Sequence, residues 1–169
     1  YGDGTAETGL AAGDTYDNLA FVDNTQGGLG AGTRFSLTAG LDVNVSLEIA
    51  AGYTLDLDQQ NLDVSGLTGF ISTGSLKLDG NETITNLAAL QSAGGAIPGL
   101  TIYAGNGDGT ADTFPSLIGG NSYVDLTFLS DGAADTFELA ANLNVDGAWT
   151  MTSGNVNALA RDISVAGNV

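Results

Sequence analysis

Residues 41–49 read LDVNVSLEI. Leu41, Val43, Val45, Leu47 and Ile49 share one parity, and Asp42, Asn44, Ser46 and Glu48 share the other. Successive side chains of a strand point to opposite sides, so this alternation predicts a strand with one buried face. The pattern resumes after Gly52, with Tyr53, Leu55 and Leu57 inward and Thr54, Asp56 and Asp58 outward. Beyond QQN (59–61) the parity shifts, and Leu62 and Val64 point in. GFIST (69–73), SLKLDG (75–80) and TIT (83–85) continue the series of short strands. Gly, Asn, Asp and Ser clusters separate them, as turns require. One segment departs: TNLAALQSAGGAIPGL (85–100) predicts a short helix capped by Thr85 or Asn86 and ending near Gly94, within a loop or insertion.

The text then repeats itself. FSLTAGLDVNVSLEIAAG (35–52) returns as FELAANLNVDGAWTMTSG (137–154). Phe35 meets Phe137, Leu41 meets Leu143, Val43 meets Val145, Leu47 meets Trp149 and Gly52 meets Gly154. After a slip of one residue, NLDVSG (61–66) meets DISVAG (162–167). Upstream, DTYDNLAFVDN (14–24) meets NSYVDLTFLSD (121–131), and GDGTAET (2–8) meets GDGTADT (107–113). Matched positions face inward or form turns, while outward positions drift, because packing penalises core changes more than surface ones. Several blocks in one order imply duplication. We therefore expect a first long repeat over 1–102 and a shorter second copy over 103–169 that continues the same architecture. The start at Tyr1 and the stop at Val169, short of a counterpart to LTGFISTGSLKLDG (67–80), read as a piece of a longer tandem array.

An all-β fold follows, and a right-handed parallel β-helix (β-solenoid) fits best. Its coils of about 20 residues stack about 4.8 Å apart around a continuous aliphatic interior. That spacing predicts about eight coils and a rod of roughly 35–40 Å. The alternative is a tandem of immunoglobulin-like β-sandwiches, whose size suits the period. The solenoid is preferred because large buried aromatics and a Pro-rich linker are lacking. It can also end at any coil, since each coil touches only its neighbours.

Composition narrows the function. The 169 residues hold 26 Gly and 2 Pro, and 43% are apolar, enough for a real core. Twenty acids face only Arg34, Lys77 and Arg161, for a net charge of −17. Such a charge repels nucleic acid and anionic lipid and attracts cations. Cysteine and histidine are absent, which removes disulfides, thiolate sites and the commonest general base. No apolar run approaches the roughly 18 residues of a membrane span.

LNVDGAWTMTSGNVNALARDISVAGNV (143–169) resembles the strand-turn-strand runs of large bacterial surface proteins, the β-strand-repeat, autotransporter-passenger and filamentous-haemagglutinin-like adhesins. The resemblance covers roughly 35–84 and 137–169. It implies an extracellular rod at the bacterial cell surface, serving adhesion, or acting as a stalk, fibre or layer. It implies end-to-end association with copies of itself or further repeats, and host or surface glycans as contacts. No family binding residue maps onto this chain.

Individual motifs add candidates. Asp3, Glu7, Asp108 and Asp112 lie among glycines in two matched loops, an oxygen-rich setting that suits calcium. Turn chemistry accounts for the same residues, and the nonapeptide repetition of calcium β-rolls is missing. DGAAD, with Asp131 and Asp135, is a weaker version. Thr54, Asp56 and Asp58 share one outward face, as do Asp42, Asn44 and Glu48. Paired carboxylates there would make a polysaccharide-cleaving or tailspike-like module the alternative function. The simpler reading is a solvated face, and no enzyme is expected. Trp149 is read as filling a wider part of the core rather than a ligand pocket. Gly28 to Gly32 (GLGAG) lacks the helix and Lys of a phosphate loop. No regular Thr ladder supports ice binding.

Overall fold

The computed structural model describes residues 7–10, 15–22, 33–91, 95–117, 122–130 and 134–169, with side chains from 15–22, 33–91, 95–114, 122–130 and 134–169. In chain order the strands are β1 (Glu7–Leu10), β2 (Thr15–Phe21), β3 (Arg34–Leu37), β4 (Leu41–Ile49), β5 (Thr54–Asp56) and β6 (Leu62–Asp63). Next come β7 (Gly69–Ser72), β8 (Ser75–Leu78), β9 (Ile84–Thr85), β10 (Ala96–Tyr103), β11 (Thr113–Leu117) and β12 (Ser122–Phe128). The last are β13 (Thr136–Leu139), β14 (Leu143–Val145), β15 (Trp149–Met151), β16 (Asn155–Asn157) and β17 (Ile163–Val165).

Every pairing between described strands is parallel. Immunoglobulin-like sandwiches are built from antiparallel sheets, so that alternative falls and the chain is a right-handed parallel β-helix. The strands occupy three faces in strict rotation. Face one stacks β1, β3, β5, β8, the second halves of β10 and β12, and β15. Face two takes the first halves of β2 and β4, then β6 and β9, and later β11, β13 and β16. Face three takes the second halves of β2 and β4 with β7, then the first halves of β10 and β12 with β14 and β17.

From β1 to β15 the described strands make six ladder steps on face one, hence seven windings among the described residues. Ladder partners such as Glu7 and Arg34, or Arg34 and Thr54, are 20 to 27 residues apart. The windings are therefore fewer and longer than the uniform coil of about 20 residues expected, because corner loops such as 104–112 absorb extra chain. The height is about 30 Å at 4.8 Å per step.

The interior is the predicted one. Leu41, Val43, Leu47, Ile49, Leu55, Leu57, Leu62 and Val64 are all buried. Val45 is the exception, at 42% exposure. β4 is long because it turns a corner: its first residues pair with β6 and its last with β7. Residues 44–46 lie on the bend, where its pairing with β2 shifts register, so strict alternation fails there. The 85–100 segment also differs from expectation. A 3₁₀ turn, Leu87–Leu90, follows Asn86 without a side-chain cap, and residues 96–100 already belong to β10. Pro98 and Gly99, inside the stretch expected to be a loop or insertion, occupy the bend between the two halves of β10.

Matched segments share turn geometry. Asp58 and Gln59 have φ of 47° and 63°, and their counterparts Leu159 and Ala160 have 48° and 63°. Leu41 N–H donates to Asn61 O, and Leu143 N–H to Asp162 O, both at 2.9 Å. The copies do not lie on the same face, however. Phe35 sits on β3 of face one and Phe137 on β13 of face two. One period is thus four windings and one third, so each copy is rotated by one face. Against the expectation that large buried aromatics are lacking, two aromatic groups fill the interior, Phe21–Phe35–Tyr53 and a larger set in which Phe128 packs against Tyr103, Phe137 and Trp149.

Candidate functional site

Stacking brings together residues that the sequence scatters. On face one, Ser36, Asp56 and Lys77 occupy successive outward ladder positions, and Arg34 lies two residues before Ser36. Asp56 Oδ2 accepts from Lys77 Nζ at 2.9 Å and pairs with Arg34 Nη1 at 3.4 Å. Lys77 Nζ also reaches Asp79 Oδ1 at 3.5 Å. Two of the chain's three cations therefore converge on one carboxylate. The Asp56 side chain is only 2% exposed, although its parity points outward. The expectation of a solvated face fails here, and the neighbouring ladder positions show why: cations above and below enclose it.

These groups line a groove of about 510 Å³ together with Asp58, Asn106 and Ser130. Burial pushes the Asp79 carboxyl up to about 6, Lys77 holds it down, and Glu82 and Asp56 push it further up. Glu82 caps the turn after β8, accepting from the N–H groups of Asp79 and Gly80 at 2.6 and 2.8 Å. Asp58 is exposed, and Thr54 half-buried. The groove thus offers a carboxyl raised to about 6, but among the described residues no aromatic platform for a sugar ring lines it.

The acidic loop 105–112 borders the groove. Gly105, Gly107 and Gly109 all adopt φ near 75°, so only glycine fits these turns without strain. Asp108 Oδ1 accepts from both the hydroxyl and the N–H of Thr110 at 2.7 Å, which holds its carboxyl below the usual range. Asn106 Nδ2 donates to Asp112 Oδ2 at 2.9 Å. Asp112 N–H donates to Asp135 Oδ1 at 3.0 Å, and Ser130 Oγ to Asp135 Oδ2 at 3.0 Å. Asp135 is fully buried and ties the loop to the next winding.

Of the four calcium candidates, those within the described residues are not gathered in one place. Asp3 lies outside the described residues, as do Asp131 and Gly28 to Gly32. Glu7 is on β1, four ladder steps from β10, after which Asp108 and Asp112 follow. Among the described residues, no group of three or more acidic side chains is placed to hold a metal ion. Asp42 receives the Thr15 hydroxyl at 3.1 Å, and Asn44 and Glu48 are half-buried on the outer surface. Trp149 is half-buried against Phe128, with ring centroids 5.5 Å apart, on the last winding.

Sequence reading missed the convergence of Arg34 and Lys77 on Asp56, with Asp79 held by Lys77. The signal was present: Asp56 and Lys77 are 21 residues apart, one winding. Alternation gives the face, but only the winding length says who stacks on whom. No helix among the described residues is long and apolar enough to cross a membrane. No family model matches the chain, and neither a curated protein nor a solved structure matches it.

Proposed function

We propose that the chain is a structural and adhesive repeat module of an extracellular bacterial surface protein, a stiff acidic rod that spaces, displays or self-associates. The observation that carries this reading is the face-one ladder, which runs through every winding over a continuous aliphatic interior. Such a stack resists bending, because each winding is hydrogen-bonded to both neighbours. The net charge of −17 keeps the flanks from sticking side to side. Calcium would lower that repulsion, with Asp108 and Asp112 on the loop beside the groove as donors. In that case the melting temperature rises on calcium addition and falls back with EDTA.

Two measurements test the reading. Antibodies against the chain are expected to label intact cells of the source organism, and external protease to remove the label; signal only after permeabilisation overturns the surface placement. Incubation with acidic and neutral polysaccharides is expected to release no new reducing ends. The second reading, a polysaccharide-cleaving module, draws on the groove with Asp56, Asp58 and Asp79. Cleavage that disappears in Asp58→Asn and Asp79→Asn replaces the structural reading.

A further inference from the structure

We propose that Lys77 and Asp56 join through their side chains as an intramolecular amide, a covalent tie between β5 and β8, with Asp79 carrying the proton that the step moves. The proposal concerns the chemistry of three groups in the groove and stands apart from what the rod does.

Lys77 is the chain's single lysine. It is Asp56's ladder partner on the adjacent winding, and its Nζ lies 2.9 Å from Asp56 Oδ2. The two side chains are 20% and 2% exposed. Reacting atoms held about 3–3.5 Å apart are in near-attack geometry, and such placement stands in for a very high concentration of one group around the other. The carboxyl is held at both oxygens. Asp58 N–H donates to Oδ1 at 3.1 Å, and Arg34 Nη1 lies 3.4 Å from Oδ2. A cation at Oδ2 stabilises the negative charge that gathers there when nitrogen adds to the carbon. Asp79, with a side chain 4% exposed, sits on the other side of the amine, with Oδ1 3.5 Å from Lys77 Nζ. Burial raises its carboxyl to about 6, so it takes up and returns a proton near neutral pH.

The step balances without any co-reactant. The Lys77 ammonium passes one proton to the Asp56 carboxylate, giving an amine beside a carboxylic acid. Nζ then adds to Cγ, and Asp79 removes a second proton from Nζ. Asp79 returns that proton to the departing hydroxyl, which leaves as water through the groove. One Cγ–Nζ bond forms, one Cγ–O bond breaks, the third proton stays on nitrogen, and nothing is oxidised or reduced. The exchange replaces a largely buried ion pair, which is costly to desolvate, with a neutral amide. Arg34 then faces Asp58 and Asp79 across the groove. The chain has no cysteine, so no disulfide can tie its windings together. An amide between ladder partners does so in a form that reducing agents leave intact.

The test is intact mass spectrometry of the freshly synthesised chain, followed over time as it folds. The wild-type mass is expected to fall by one water. Chymotryptic digestion, which cuts after Phe70, is then expected to leave the segments around Asp56 and Lys77 joined in one branched peptide. Lys77→Arg, which keeps the charge, and Asp56→Ala are each expected to retain the full mass. Asp79→Asn is expected to form the bond at least about tenfold more slowly. The branched wild-type peptide carries the test where a variant fails to fold. A folded wild-type chain that keeps its full mass overturns the proposal, and the pair is then an ion pair only. Loss of water that persists in Lys77→Arg, or that alkaline hydroxylamine reverses, also overturns it, since an aspartyl imide at Asp79–Gly80 loses the same mass. Bond formation in Asp79→Asn at the wild-type rate overturns the role of Asp79. None of these results touches the surface-display and polysaccharide outcomes, which test the module reading separately.

Discussion

Residues 54–66 and 155–167 are copies of one segment in two settings. In the first, Leu55, Leu62 and Val64 are fully buried, because β8 and β9 lie over them. In the second, the counterparts Val156, Ile163 and Val165 have one neighbouring winding, and Ile163 is 41% exposed. The turn between them is the same to within a degree in φ. Local sequence thus shapes the turn whether or not the strand is covered, while the hydrophobic gain depends on the next winding. A solenoid rung is half a core until its neighbour arrives.

The largest expected difference concerns that gain. Leu62→Ala is expected to cost about 3 kcal/mol in denaturant unfolding, and Ile163→Ala under about 1 kcal/mol. Equal costs mean that something covers the last winding. Next comes the outward position. Asp56→Ala leaves two cations facing one another in the groove and is expected to cost about 3 kcal/mol. Its counterpart Asn157, exposed and bonded to Glu138, is expected to tolerate Ala with almost no change in melting temperature.

Two smaller effects sharpen the comparison. A Cβ at Gly66 would lie 2.8 Å from Asn44 O in a covered winding, so Gly66→Ala is expected to cost about 2 kcal/mol. At Gly167 the added carbon meets the Gly147 backbone, but the last winding can shift away, so the loss in melting temperature should be smaller. The pH dependence comes last. With its carboxyl raised to about 6, Asp79 keeps a proton in the folded chain that the unfolded chain releases near 4. It therefore favours folding at acid pH and loses that contribution as pH rises through about 6. Asp79→Asn is expected to flatten stability between pH 4 and 6 and to add about 1 kcal/mol at pH 7. The last winding has no such buried carboxylate and so no such slope.

Particular residues show what could be read in advance. The alternation of Leu41 through Ile49 and the parity change before Leu62 placed the interior, because a strand's side chains obey a period of two whatever surrounds them. Val45 escaped this logic because a corner suspends the period, and no residue type marks that corner. Pro98 and Gly99 fall in the stretch read as a loop or insertion and are the bend of a strand. The groove escaped because its parts come from separate windings of unequal length.

Sequence by itself determined that the chain is built of short strands, which way their side chains point, and that one segment is written twice. These are local matters of sterics and hydrophobic period, settled within a few residues. Tertiary structure alone decided the rest: the number of windings among the described residues, a matched segment rotated by one face, and Asp56 buried between cations. Each depends on how many residues a corner consumes, since that length sets which side chains meet one winding later.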